Sequence, residues 1–263
     1  MIMEYQTVII EKKNGVGYLK LNRPEQLNSL TPEMSLEIIE ILRQWKEDVE
    51  VRVIVIEAVG KAFCAGQAIS PEVLNSGVID LGEVLEKYFN PLLDIINDMP
   101  KVIICAVNGI AVGAGASLPL LCDITLAAKS ASFSQIFSKI GLIPDCGATW
   151  LLPRLIGFAK AKALMLTAEK ISAEEAERIG MIYKVVADDQ LALEVVRLAE
   201  YFATQASLSF ALIKQAMRVT MHNDFYTQIK VEQDLQRRAG QSEDFLEGVR
   251  AFLMKDQAHF KGR

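Results

Sequence analysis

The run RVIVIEA (52–58) constrains this chain more than any other stretch. Its β-branched residues read as a strand packed from both sides, which is the condition of a parallel sheet covered by helices. KVIICAV (101–107) and DITLAA (123–128) read as further strands. A helix is expected over about 80–98, and a short one after the Gly/Ala-rich turn near 113. Strands and helices therefore alternate through the first two-thirds, the pattern of an α/β domain with crossover connections. At the start, QTVIIEK and VGYLKLN flank Asn14-Gly15, a hairpin signal. Thr31-Pro32-Glu33 opens a helix, with a capping hydroxyl, proline at the first position and an acid in the first turn. Met34, Ile38, Leu42 and Trp45 share one face of it. Ser172-Ala-Glu-Glu175 has the form of a capping box. From 188 to 255 the pattern is amphipathic helix throughout. The expected division is an α/β core over 1–187 and a helical region over 188–263 that serves packing or oligomer contacts.

Charge and composition exclude several function classes. Net charge is −5 and no Lys/Arg run forms a tracking stripe, so a nucleic-acid partner has no electrostatic footprint. The longest apolar stretches are broken by Asn108, Asp123 and glycines, so no membrane span is expected. Cys64, Cys105, Cys122 and Cys146 form no metal or redox pair. The N-terminus lacks a signal-peptide pattern, and a cytoplasmic enzyme is the simplest expectation. His222 and His259 both fall in the helical tail, which leaves no Ser/His/Asp set. Metal-ligand spacing is absent as well, so no metal is expected.

Three segments carry candidate chemistry. Gly60-Lys-Ala-Phe-Cys-Ala-Gly66-Gln67 follows the strand 52–58, and Asn108-Gly-Ile-Ala-Val-Gly113-Ala-Gly115 follows the strand 101–107. Both lie at strand C-terminal ends, where α/β sheets bind ligands. The second also opens a helix, whose first N–H groups are unpaired and sit at the positive end of the dipole. Two such N–H groups converging on one point make an oxyanion hole; read by themselves, the glycines equally fit tight turns. A dinucleotide fingerprint is incomplete, because the third glycine and the acid closing the next strand are both missing. In the third segment, IGLIPDCGATWLLPR (140–154), Asp145 follows Pro144 and reads in isolation as a helix cap.

The ordered set LNRPEQLNSL, GKAFCAGQ, AVNGIAVGAGASL, DITLAA, IGLIPDCGATWLLPR and ISAEEAERIGMI resembles the crotonase (enoyl-CoA hydratase/isomerase) superfamily over essentially the whole chain. The resemblance implies a spiral of ββα units followed by a C-terminal helical trimerisation region, assembled as a homotrimer or hexamer. It implies an acyl-CoA thioester substrate and no cofactor, CoA being part of the substrate. By motif position, the oxyanion N–H groups come from Gln67 and Ala114. Arg23, Pro24 and Ala65 match the region that holds the CoA nucleotide. Phe252 and Lys255 match positions that can reach a neighbouring subunit's CoA.

The departures select the reaction. Ser117 and Phe137 stand where hydratases of the family carry their two glutamates, so the usual pair for adding water is missing. An acid appears instead at Asp145. That position, with IPDCGATWLLPR and YFNPL (88–92), resembles the ring-1,2-epoxyphenylacetyl-CoA isomerase branch, whose relatives also shift a 3-enoyl double bond to the 2-position. The resemblance then implies a single-acid isomerase. Ile136, Phe137, Leu142 and Trp150 would desolvate Asp145 and suit an aromatic or alkyl acyl group. Two residues depart from the branch. Ala68 replaces an Asp of the first loop, and Pro119 requires a place in the first turn of its helix. Dehalogenase chemistry is disfavoured, since Phe137 and Asn90 replace the Trp and His it needs. An enoyl-CoA hydratase-like protein of other acyl-CoA specificity and a non-catalytic binding homologue remain as alternatives.

Overall fold

The computed structural model describes residues 5–69 and 80–263. Strands β1 (Val8–Lys13) and β2 (Val16–Leu21) form the expected hairpin. Its two turn residues, Asn14 and Gly15, both take positive φ, at 52° and 78°. That is the left-handed pair whose twist matches two right-twisted strands. Helix α1 (Pro32–Glu47) follows. Thr31 caps it by accepting the Met34 N–H at 3.2 Å, and Met34, Ile38, Leu42 and Trp45 are all buried.

From there the chain repeats one motif: a long strand, a short strand, then helix. β3 (Val53–Ala58) is followed by β4 (Ala62–Cys64), α2 (Leu81–Val84) and α3 (Asn90–Asn97). Next come β5 (Val102–Val107), β6 (Ile110–Val112) and α4 (Ala114–Leu121), then β7 (Ile124–Ala128) and β8 (Ser132–Ser134). Helices α5 (Ala148–Ile156) and α6 (Phe158–Thr167) lead to β9 (Ile171–Ser172), α7 (Ala173–Arg178) and β10 (Lys184–Val186).

The long strands build a six-stranded sheet in the order β1-β2-β3-β5-β7-β10, parallel except for the hairpin. The short strands build a second sheet, β4-β6-β8-β9. Every residue of β5 is buried, as are the first four of β3, so the apolar runs are covered on both faces as the sequence requires. This is the expected spiral. The three-residue strands were not legible in the sequence, being too short to display a period.

One local expectation is refined and two are corrected. The helix expected at 80–98 runs unbroken from Leu81 to Asn97, but it holds a π-helical turn, Leu85–Phe89, between α2 and α3. Pro91 lies at the start of α3 and has no N–H to give, and the wider turn absorbs the mismatch. Ser172 caps α7 by accepting the Glu175 N–H at 3.1 Å, but Glu175 turns to Arg178 and Lys160 instead of back to the cap, so only half a capping box forms. Pro119 is the sixth residue of α4, in its second turn and not its first. The helix tolerates it by ending two residues later, and the Pro119 carbonyl accepts the Thr125 hydroxyl at 2.8 Å.

The rest of the chain is helical: α8 (Leu191–Ala203), α9 (Ser207–Thr220), α10 (Phe225–Gly240) and α11 (Glu243–Met254). Helix α8 packs on β2, β3, β5 and β7. Helix α9 is tied to the sheet by Lys214, whose Nζ donates to Asp123 Oδ2 at 2.6 Å and to the Lys101 carbonyl at 2.8 Å. The C-terminal residues fold back onto α11: the buried Asp244 carboxylate accepts the N–H groups of Lys261 and Gly262 at 2.6 and 2.7 Å. Among the described residues no helix is long and apolar enough to cross a membrane.

Candidate active site

The two glycine-bearing turns meet through the short strands. β4 and β6 pair in parallel, with Ala62 opposite Ile110 and Cys64 opposite Ala111. Close backbone approach makes the meeting possible. Gly66 has φ of +96°, and a side chain on it would stand 2.9 Å from the Val112 carbonyl oxygen and 3.8 Å from the Ala114 nitrogen. A Cβ on Gly115 would stand 2.7 Å from both the Cβ and Sγ of Cys64. The segments bearing the Gln67 and Ala114 N–H groups are thereby in contact. Neither N–H donates to a backbone or side-chain acceptor among the described residues. Ala114 is the first residue of α4, so its N–H has no partner within the helix.

Ala68 does not disorder the first loop. Leu30 pairs with Gln67: the Leu30 N–H donates to the Gly66 carbonyl and the Ala68 N–H to the Leu30 carbonyl, both at 2.8 Å. These backbone bonds hold the turn at Gln67 without any contribution from the side chain at 68. Arg23 and Pro24 belong to the loop lying against the same turn. Asn28, fully buried, donates to the Val59 and Ala62 carbonyls and accepts the Arg23 N–H, and the Ala65 N–H donates to the Leu27 carbonyl at 3.0 Å. Arg23, Pro24 and Ala65 are thus gathered beside Gly60–Gln67.

The third segment closes on the start of α4. Phe137 is buried, and its ring Cζ lies 3.6 Å from where a Gly113 Cβ would be; Ile136 Cγ2 lies at 3.9 Å. Ser117, on α4, is completely buried, and its hydroxyl contacts the Asp145 carbonyl oxygen at 3.5 Å. Asp145 is not a helix cap. The N-cap of α5 is Gly147, with no side-chain capping bond. The Asp145 carboxylate instead has a buried Oδ1 without a partner among the described residues. Burial raises its pKa above the ordinary carboxylate value, against a smaller lowering by the Cys146 thiol beside it. Cys146 takes left-handed backbone, φ 49°, so the chain turns sharply just after the carboxylate. The neighbouring thiols stay protonated: burial pushes Cys64 up to about 11 and Cys146 higher still.

Structure therefore brings Gln67, Ala114, Ile136, Phe137 and Asp145 to one place. It does not bring the others there within a single chain. Leu142 is bonded through its N–H to the Phe137 carbonyl, yet its side chain is partly exposed. Trp150 lines a groove of about 440 Å³ facing α9, with the Arg154 guanidinium 4.1 Å over its ring and His222 at 6.3 Å. Phe252 is 84 % exposed on α11, and Lys255 ends that helix in left-handed conformation. A larger cavity, about 620 Å³ between α9, α10 and α11, holds none of the residues gathered around Asp145. Sequence reading gave Ser117 no contact in the site. It registered only as a missing glutamate, and a serine inside an apolar helix gives no local sign of its acceptors.

A ββα spiral with paired glycine turns over a helix N-terminus defines a class of CoA-ester enzymes. The chain belongs to the enoyl-CoA hydratase/isomerase family, whose sequence model matches residues 11–263. It is 46 % identical to the 1,2-epoxyphenylacetyl-CoA isomerase of Escherichia coli over 264 residues, covering 100 % of both chains. It is also 34 % identical over 261 residues to the crotonyl-CoA hydratase of Syntrophomonas wolfei, covering 98 % of this chain and 99 % of that one. Among solved structures, an enoyl-CoA hydratase from Bacillus anthracis superposes with a TM-score of 0.92 at 32 % identity, covering 98 % and 100 %.

Proposed function

We propose that this protein is an acyl-CoA isomerase with Asp145 as its single catalytic acid–base. The observation that carries the reading is the Asp145 carboxylate, largely desolvated and with one oxygen unpartnered among the described residues, beside a helix start whose neighbouring positions 117 and 137 hold serine and phenylalanine. Desolvation makes a carboxylate a stronger base, and apolar walls keep it so. The Gln67 and Ala114 N–H groups receive the thioester oxygen. Asp145 takes a proton from the carbon next to the thioester, and the electron pair moves onto that oxygen. The N–H groups hold the enolate. For a 3-enoyl ester, the same carboxyl returns the proton at C4 and the double bond moves into conjugation. Nothing is consumed, so the reaction calls for no cofactor beyond the CoA of the substrate.

The acyl group proposed is 1,2-epoxyphenylacetyl, giving the oxepin, or a 3-enoyl chain. The name of the 46 % identical relative supports the first. Arg23, Pro24 and Ala65 are proposed to hold the CoA nucleotide. Phe252 and Lys255 would act on a neighbouring subunit in a homotrimer or hexamer, which accords with the exposed apolar side chains of α9 and α11. A hydratase reading draws on the names of relatives such as the crotonyl-CoA hydratase. Against it stand Ser117 and Phe137, which offer no acid to activate water.

The test is Asp145→Asn with 3-enoyl-CoA as substrate, following the conjugated thioester chromophore. Turnover should fall by at least about 10³-fold while CoA-ester binding persists. Near-normal turnover in the variant would remove Asp145 as the base. Rapid hydration of 2-enoyl-CoA by the unaltered protein would favour the hydratase reading.

A further inference from the structure

We propose that Ser117 is a positioning residue that joins the two halves of the catalytic machinery, the base and the oxyanion donor. The inference rests on the isomerase reading above and deepens it. The Ser117 hydroxyl is fully buried and has two oxygen neighbours: the Gly113 carbonyl at 3.1 Å and the Asp145 carbonyl at 3.5 Å. Bonding back to the fourth preceding carbonyl is common for serine in helices and by itself signifies little. The second acceptor is different, because it lies 28 residues away in the segment that carries the base.

Each acceptor matters. The Gly113 carbonyl and the Ala114 N–H belong to the same peptide unit. While the hydroxyl donates to that carbonyl it polarises the unit and strengthens the N–H as a donor to a developing oxyanion; its single proton serves one of the two acceptors at a time. The Gly113 oxygen already accepts the N–H groups of Ala116 and Ser117 at 2.9 and 3.1 Å, so the hydroxyl can turn to Asp145 without leaving it orphaned. On the other side, the Asp145 carbonyl accepts the Ala148 N–H at 3.0 Å, and two left-handed residues, Cys146 and Gly147, follow it directly. The Asp145 Oδ1 has no partner among the described residues, and the Cys146 thiol that touches the carboxylate belongs to the same turn. What aims the carboxylate is therefore its backbone, and Ser117 is the side chain that ties this backbone to the first turn of α4. The position that holds an acid in hydratases of the family thus holds a strut here.

Ser117→Ala and Ser117→Thr test this, with Asp145→Asn run in parallel. Expected for Ser117→Ala is a fall in kcat of about tenfold, the weight of one hydrogen bond, with KM within twofold. Solvent deuterium exchange at the carbon next to the thioester should slow in proportion. The threonine variant keeps the hydroxyl and should recover at least half of the lost rate. A Ser117→Ala kcat within twofold of the unaltered protein would overturn the proposal. So would a loss carried by KM alone, or a threonine variant as slow as the alanine one at unchanged melting temperature. If Asp145→Asn keeps its turnover, the base assignment fails by itself, whatever Ser117 does.

Discussion

Replacing Gly115 by alanine places a methyl group 2.7 Å from both Cβ and Sγ of Cys64, and closer still to the Cys64 carbonyl oxygen. No side-chain rotation relieves this, because two of the three atoms belong to the rigid end of β4. Either the first turn of α4 or the strand end has to move by several tenths of an ångström. Overpacking of this kind costs about 1–3 kcal/mol. For a chain of this size that lowers the melting temperature by roughly 2–10 °C. The catalytic cost should be larger, since the displaced turns carry the Ala114 and Gln67 N–H groups. Loss or misplacement of one oxyanion donor costs about 10²–10³-fold in kcat. Thermal unfolding and isomerase turnover on 3-enoyl-CoA measure the two effects. Gly240→Ala is the control: it lies at the end of α10 with nothing within 4 Å of its would-be Cβ. That change should leave turnover alone and raise stability by up to about 1 kcal/mol. A Gly115→Ala protein with ordinary kcat would refute the claim that contact between the two turns builds the hole.

Asp145 also sets two pH effects. Because burial raises its pKa, turnover should fall on acidification at a pH above the ordinary carboxylate value, and Asp145→Asn should lack that limb. The ionised group destabilises the fold at every pH above its raised pKa. Stability contributed by this residue therefore increases as pH falls through that pKa. Asp145→Asn should accordingly be more stable at neutral pH, by on the order of 1 kcal/mol given the group's partial exposure, with the gain gone near pH 4. Denaturant midpoints at the two pH values check this, and a variant less stable at neutral pH would contradict it. Thr31→Ala removes the cap of α1 and should cost about 1 kcal/mol with kcat unchanged, read by melting temperature and turnover together.

What the sequence alone determined was carried by near neighbours. The Asn14-Gly15 turn, the Thr31 cap and the buried face of α1 each depend on residues one to four positions apart, so their chemistry is written contiguously. The unbroken apolar runs at 53–56 and 102–107 likewise demanded cover on both faces. Long-range geometry was another matter. β4, β6 and β8 have three residues each, too few for a period, so their sheet was invisible until the chain closed on itself. Asp145 after Pro144 is locally indistinguishable from a cap, and only packing shows the cap to be Gly147 and the carboxylate to be desolvated. Ser117 reads as a vacancy until its hydroxyl is found on a carbonyl 28 residues away. Those features depend on which surfaces meet. A meeting of surfaces is a property of the packed chain as a whole, with no signature in any window of its sequence.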